Sequence, residues 1–224
     1  MSLQDKLDAF KADFEAGKPP YNVSPSVIET MHRATAELIA SGAAQKALKA
    51  GDPAPAFTLN DHEGHPASST ELLRQGPLVV TFYRGVWCPY CNMELQALQA
   101  AQPDIRAAGA HLVAISPQLA ANSRKSVRQN ALTFPILSDP HNDVAAQFGL
   151  RFKLQDDLIK LYKSLKNDLP AFNGDPSWTL PMPARYIITP DHTIVYAEVN
   201  PDYTHRPDPV EMLPVIRQAA THAA

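Results

Sequence analysis

The chain of 224 residues is long enough for one large domain or for one domain with an extension, and 45% hydrophobic against 19% charged residues is the balance of a globular protein. Twenty basic and 23 acidic side chains leave a formal charge of -3, so no overall positive field recruits nucleic acid or an anionic membrane. Two cysteines, Cys88 and Cys91, are too few for a disulfide framework, and both fall in one CxxC tetrapeptide.

The start, MSLQDKLDAFKADF, lacks the basic residues, apolar run and small-residue cleavage site of a secretory signal. No stretch approaches the run of about 18 apolar residues that spans a bilayer. The expected compartment is therefore the cytoplasm, where a lone CxxC is more often catalytic or metal-binding than a staple. Leu3, Leu7, Phe10 and Phe14 stand at helical spacing and predict an amphipathic helix over residues 3–16. Ser24-Pro25 opens a second helix with Val27, Met31, Ala34 and Leu38 on one side, running to about Leu48, before Gly51-Asp52-Pro53. Residues 1–48 thus read as a helical extension whose apolar stripes bury against the main domain, with the arm of a homodimer as the other reading. Residues 49–224 form the main domain.

From Phe57 onward strands alternate with turn signals. Ala56 to Leu59 is a short strand followed by the turn Asp61-His62-Glu63-Gly64, and Ser69 opens a short helix that Gly76-Pro77 ends. Leu78 to Tyr83 is a near-continuous apolar run, as expected of a central strand covered on both faces. It leads into Arg84-Gly85-Val86-Trp87-Cys88-Pro89-Tyr90-Cys91 and then a helix through Leu95, Leu98 and Ile105, which Pro103 is expected to kink or interrupt. A third strand (112–116), a polar helix (122–132) and a short apolar segment (134–137) follow. Residues 143–168 are expected to be helical, with Leu154, Leu158, Leu161 and Leu165 in register, and 170–183 to be an irregular loop carrying Phe172 and Trp178. Residues 186–188 and 193–196 flank Thr189-Pro190-Asp191-His192 as an antiparallel hairpin, and a helix over about 209–220 closes the chain. This alternation implies an α/β layer fold with parallel strands.

A CxxC at the start of a helix sets the first sulfur near unpaired backbone N–H groups and the positive end of the helix dipole, which stabilise thiolate. The two-residue spacer lets the second sulfur displace whatever the first has bonded to, and Pro89 suits the first helical turn because no donor is needed there. Zinc, with His62 and His65 completing the ligands, and a bland pair of core cysteines are the competing readings. Strand, aromatic residue, CxxC and helix in that order favour redox chemistry. Glu94, one turn after Cys91, reads as a solvated helix residue ahead of a modulator of thiol pKa. Phe172 and Trp178 read equally as a lid over the thiols or as loop anchors.

The segments Gly51 to Leu59 and Thr81 to Cys91 resemble the peroxiredoxin-like branch of the alkyl hydroperoxide reductase and thiol-specific antioxidant family. The resemblance covers the chain from about residue 50 and implies an α/β, thioredoxin-like three-layer fold, with a central mixed sheet flanked by helices and the N-terminal helical extension outside it. Where that family has a proline after the Phe-Tyr strand, this chain has Arg84; Cys88 stands at the threonine and Cys91 at the peroxidatic cysteine. Pro183 replaces the arginine before the late strand and resembles the cis-proline that faces the CxxC in thioredoxins. The resemblance implies a hydroperoxide reductase without a cofactor, with Cys88 and Cys91 catalytic and Pro183 facing them. A peroxidase also needs a cation or donors for the charge developing on the peroxide oxygens; Arg84 and Arg185 are the nearest candidates in sequence, with surface salt bridges as the other reading, and Trp87 and Tyr90 read as walls of the thiol pocket or as packed aromatic residues. Register favours attack by Cys91, exposure at the helix start favours Cys88, and the donor is thioredoxin-like or glutathione. A protein disulfide reductase and a non-enzymatic redox sensor are the alternatives.

Overall fold

A computed structural model, which describes residues 1–221, opens with two helices, α1 (Leu3–Glu15) and α2 (Pro25–Ala40). Ser2 caps α1: its hydroxyl accepts from the Asp5 N–H while the Asp5 carboxylate accepts from the Ser2 N–H, closing two otherwise orphaned donors. Instead of reaching Leu48, α2 stops at Ala40, because Gly42 turns the chain at φ 68° and residues 44–46 make a single 3-10 turn.

A hairpin, β1 (Thr58–Asp61) and β2 (Pro66–Ser68), leads through α3 (Ser69–Leu73) to β3 (Leu78–Phe82), α4 (Pro89–Ala107), β4 (His111–Ser116), α5 (Ala120–Asn130) and β5 (Ile136–Ser138). There follow α6 (Asp143–Gln147), β6 (Arg151–Lys153), α7 (Asp156–Ser164), α8 (Leu169–Asn173), β7 (Thr179–Pro181), β8 (Ala184–Ile188), β9 (Ile194–Val199) and α9 (Leu213–Thr221). Seven strands form one mixed sheet in the order β2-β1-β5-β4-β3-β8-β9, in which β3, β4 and β5 run parallel and the remaining pairs antiparallel.

The strand period of two sorts the core into two layers of packing. Val79 on β3, Ala114 on β4 and Ile187 on β8 face one side, against Leu3 and Leu7 of α1, Leu95, Leu98 and Ile105 of α4, and Ile216 of α9. Val80, Phe82, Val113, Ile115, Tyr186 and Ile188 face the other, against Leu73 of α3, Val144 and Ala145 of α6, and Phe148. Being central and covered on both faces, β3 is buried along its whole length.

Three expectations fail for identifiable reasons. Pro103 does not interrupt α4, which runs continuously over 19 residues; Leu95, Leu98, Ala101 and Ile105 pin both sides of the proline to the core, and packing outweighs one lost backbone bond. Residues 143–168 are not one helix, because Gly149 at φ 74° turns the chain out of α6 and 151–153 pair with 179–181 as β6 and β7. The leucine register does not mark the buried stripe of α7 either, since Tyr162 is its buried residue and Leu165 is 37% exposed. The loop expected at 170–183 holds α8 and β7, and packs Leu169, Trp178 and Leu180 with Leu154 and Tyr162 into a third, smaller cluster.

α1 belongs to the main core. Replacing the wholly buried Leu7 with alanine is expected to cost about 2–5 kcal/mol of global stability. A single shifted urea transition checks this; an undisturbed midpoint, or separate melting of the N-terminal helices, contradicts it.

Candidate active site

The loop from β3 to α4 is fixed at three points. Val86 N–H donates to Gln118 Oε1 at 2.9 Å, Gln118 Nε2 donates to the Tyr83 hydroxyl at 2.6 Å, and Asn92 Nδ2 donates to the Val86 carbonyl at 2.8 Å. Gly85 adopts φ 149°, and a Cβ there would stand 2.6 Å from the Trp87 indole nitrogen, so the indole lies where any larger residue would intrude. The loop delivers Cys88 to the N-cap of α4, with extended backbone angles, and Pro89 to its first turn.

Both cysteines are free thiols, 2% and 0% exposed. Cys88 borders a cavity of about 340 Å³, lined also by Arg84, Trp87, Tyr90, Tyr162 and Tyr203; Cys91, one turn later, is enclosed in the core. Burial pushes the Cys88 thiol up, but the Cys91 S–H donated to its sulfur and the positive charges of Arg84 and Arg206 outweigh burial and bring it down to about 6. Burial and the Cys88 sulfur hold Cys91 protonated, well above the ordinary thiol range. The pair is thus arranged as thiolate and thiol sharing one proton.

Arg84 is 4% exposed and makes no ion pair among the described residues. Its guanidinium carbon lies 4.1 Å from the Tyr203 ring centroid and 4.8 Å from that of Trp87, and it donates to the Tyr162 hydroxyl. Arg206 donates through Nε to Glu94 at 2.6 Å, and Arg185 donates to the other oxygen of Glu94 at 2.8 Å. Glu94 is therefore not a solvated helix residue: at 3% exposure it is buried because two guanidiniums neutralise it. Glu198, opposite Arg185 on the β8–β9 ladder, is pushed up to about 7 by burial and by Glu94.

The structure brings Arg84, Trp87, Cys88 and Cys91 together. Arg185, wholly buried, is directed to Glu94 and to the Pro207 carbonyl, and Arg206 takes its expected place as a cation acting on the thiols. Pro183 lines a neighbouring cleft with Arg84 and Tyr203. Its peptide bond is not the cis bond expected, because Met182 N–H bonds to the Leu150 carbonyl and the chain continues extended from β7 into β8. Trp178 anchors the third cluster, under Lys163 at 5.4 Å, while Phe172 packs partly against the same cluster. His62 and His65 lie at the β1–β2 turn, where the Arg124 guanidinium bonds the His62 carbonyl. Sequence reasoning missed Arg206, Tyr203 and Gln118. No motif marks them; only the apposition of the segment after β9 and the end of β4 against the CxxC loop gives them a role.

The AhpC/TSA family profile matches residues 50–197. A putative peroxiredoxin of Mycobacterium tuberculosis is 30% identical over 117 residues, 52% of this chain and 76% of its own length. Peroxiredoxin Bcp of Escherichia coli K12 is 32% identical over 103 residues, 46% of this chain and 65% of that protein. Among solved structures, peroxidoxin BcpB of M. tuberculosis superposes with a TM-score of 0.60 at 23% identity, covering 76% of this chain and 97% of that one. A yeast mitochondrial 1-Cys peroxiredoxin gives 0.59 at 19% identity, covering 75% of each. At these identities the likeness shows the fold, which is thioredoxin-like.

With Arg84 beside the sulfur, the ultraviolet absorbance of the Cys88 thiolate is expected to rise with a midpoint near pH 6. Arg84→Gln is expected to move that midpoint upward by about one to three pH units, and an unmoved midpoint would show that the guanidinium does not act on the sulfur.

Proposed function

The chain belongs to the AhpC/TSA family of thiol-dependent peroxidases, and we propose that in it Cys88 attacks the hydroperoxide while Cys91 resolves the product. The observation that carries this assignment is that Cys88 borders the cavity beside Arg84, with its thiol lowered, while Cys91 is enclosed and held protonated. Family register favours the opposite order, so the assignment is a property of this chain's own geometry.

The cycle balances in three steps. The Cys88 thiolate displaces alkoxide or hydroxide from the O–O bond, keeps the transferred OH as a sulfenic acid, and the leaving oxygen takes up a proton. Arg84, itself buried at 4% exposure, faces the charge developing on the peroxide oxygens, where a fixed, preorganised cation acts strongly. The Cys91 thiol then attacks the Cys88 sulfenic sulfur, forming the Cys88–Cys91 disulfide and releasing water. An external donor, glutathione or a thioredoxin-like dithiol, supplies the two electrons and two protons that restore the thiols. Trp87 and Tyr162, edge to face at 5.5 Å, wall the sulfur, Pro183 lines the neighbouring cleft with Tyr162 and Arg84, and Arg185 holds the Glu94 carboxylate. Such a cycle suits a reducing cytoplasm, where the donor is abundant.

One equivalent of hydrogen peroxide added to the reduced protein is expected to consume both thiols and change tryptophan fluorescence, since Trp87 adjoins the sulfur. Cys88→Ser is expected to abolish the reaction, and Cys91→Ser to stop after one turnover with a sulfenic acid that dimedone traps. Thiols that persist for minutes would sink the peroxidase reading, and a reactive Cys88→Ser protein would reverse the order of the two sulfurs.

A further inference from the structure

The cavity over Cys88 has walls from two sources. Trp87, Tyr90, Tyr162 and Tyr203 come from the thioredoxin-like domain, whereas Phe10, Phe14 and Tyr21 come from residues that precede the family match at 50–197. The second set is held in place: the Phe10 ring meets Tyr90 edge to face at 5.1 Å, and Tyr21 meets Phe10 at 5.6 Å and Phe14 at 5.3 Å. Leu3 and Leu7, buried on the same helix, fix α1 to the core beneath them.

The buried part of the cavity holds polar groups: the Cys88 sulfur, Arg84 with an unpartnered Nε, and the unpartnered Trp87 indole N–H. Its more exposed lining is mainly apolar, with Pro20, Val23, Leu165 at 37% exposure and Tyr21 at 44%, and Asn167 as the polar residue among them. Hydrogen peroxide needs little more room than a water molecule, about 30 Å³, and would leave most of the 340 Å³ empty. Apolar walls with a few convergent polar groups, in a volume of about 300–1,000 Å³, are the form of a site for an organic ligand.

We propose that residues 1–48 are the specificity element of this enzyme, in which Phe10, Phe14 and Tyr21 hold the apolar body of a bulky organic hydroperoxide with its O–O group against Cys88 and Arg84. The inference rests on the peroxidase reading and deepens it. The thiolate takes the terminal OH, and the remaining alkoxide, once protonated, leaves as an alcohol past Tyr21. Apolar contacts remote from the reacting oxygens then lower the barrier for the bulky substrate, and hydrogen peroxide, which lacks them, is discriminated against.

The test compares kcat/KM for cumene hydroperoxide and for hydrogen peroxide, with dithiothreitol as donor, in the full chain and in Tyr21→Ala and Phe14→Ala. The full chain is expected to favour cumene hydroperoxide about tenfold or more, and each substitution to reduce that ratio several-fold, the size of effect a hydrophobic pocket exerts through one side chain. Tyr21 stands at the exposed rim, so its variant keeps the test open if Phe14→Ala unfolds. Equal rates on both peroxides, or a ratio that Tyr21→Ala leaves unchanged, overturn the specificity element alone. Consumption of neither peroxide overturns the peroxidase reading and this inference with it.

Discussion

A guanidinium buried without a carboxylate sets the electrostatics of the whole site. Taking the Arg84 charge out of water costs several kcal/mol, and among the described residues no carboxylate pairs with it. The faces of Trp87 and Tyr203 and the Tyr162 hydroxyl return part of that cost, each contact contributing about 0.5–2 kcal/mol. The remainder calls for an anion, and the Cys88 sulfur is the group placed to carry it. The wider inventory points the same way. Arg84, Arg185 and Arg206 are all buried, while among the described residues Glu94 and the half-buried Glu198, pushed up to about 7, are the carboxylates that face them. A cluster with more fixed positive than negative charge stabilises thiolate, and the thiolate in turn makes the buried cations tolerable.

This balance depends on residues far from the CxxC in sequence. Tyr203 and Arg206 sit on the segment after β9, and that segment is tied to the first turn of α1. Leu3 N–H donates to Asp208 at 3.1 Å, Gln4 Nε2 donates to the Thr204 carbonyl at 3.3 Å, and Arg206 N–H donates to Gln4 Oε1 at 2.9 Å. α1 therefore does two things at once: it orients the loop that carries a cation towards the thiols, and it sets Phe10 and Phe14 over them. A helix that read as an appendage is, in energetic terms, coupled to the active sulfur.

The frame was legible because it is written in local patterns. The uninterrupted apolar run at 78–83 gave the central strand, and Thr189-Pro190-Asp191-His192 gave the turn between β8 and β9. The position of Cys88 ahead of Pro89 gave a thiol at a helix start. What escaped was decided by tertiary contact. Leucines in helical register could not reveal that 151–153 would pair with 179–181. Nor could a glutamate one turn beyond Cys91 reveal that two arginines from other segments would bury it. Pro183 shows the reverse error, in which a resemblance to thioredoxins suggested a backbone geometry that the strand path from β7 to β8 does not adopt.

The departure at Cys88 follows from the same geometry. With Cys88 at the helix N-cap and Cys91 in the first turn, the two side chains are helix neighbours three residues apart, about 5–6 Å between Cβ atoms in a regular helix. A disulfide needs about 3.5–4.5 Å, and the N-cap residue, whose backbone is extended and free of helical constraint, can supply the small approach. In the proposed cycle the approach is thus local to the N-cap of α4. The shared proton serves the same end. In the proposed cycle it lies on Cys91 while Cys88 attacks, the negative charge passes from the Cys88 sulfur to the leaving oxygen beside Arg84, and the Cys91 proton departs with the sulfenic oxygen as water when Cys91 attacks in turn.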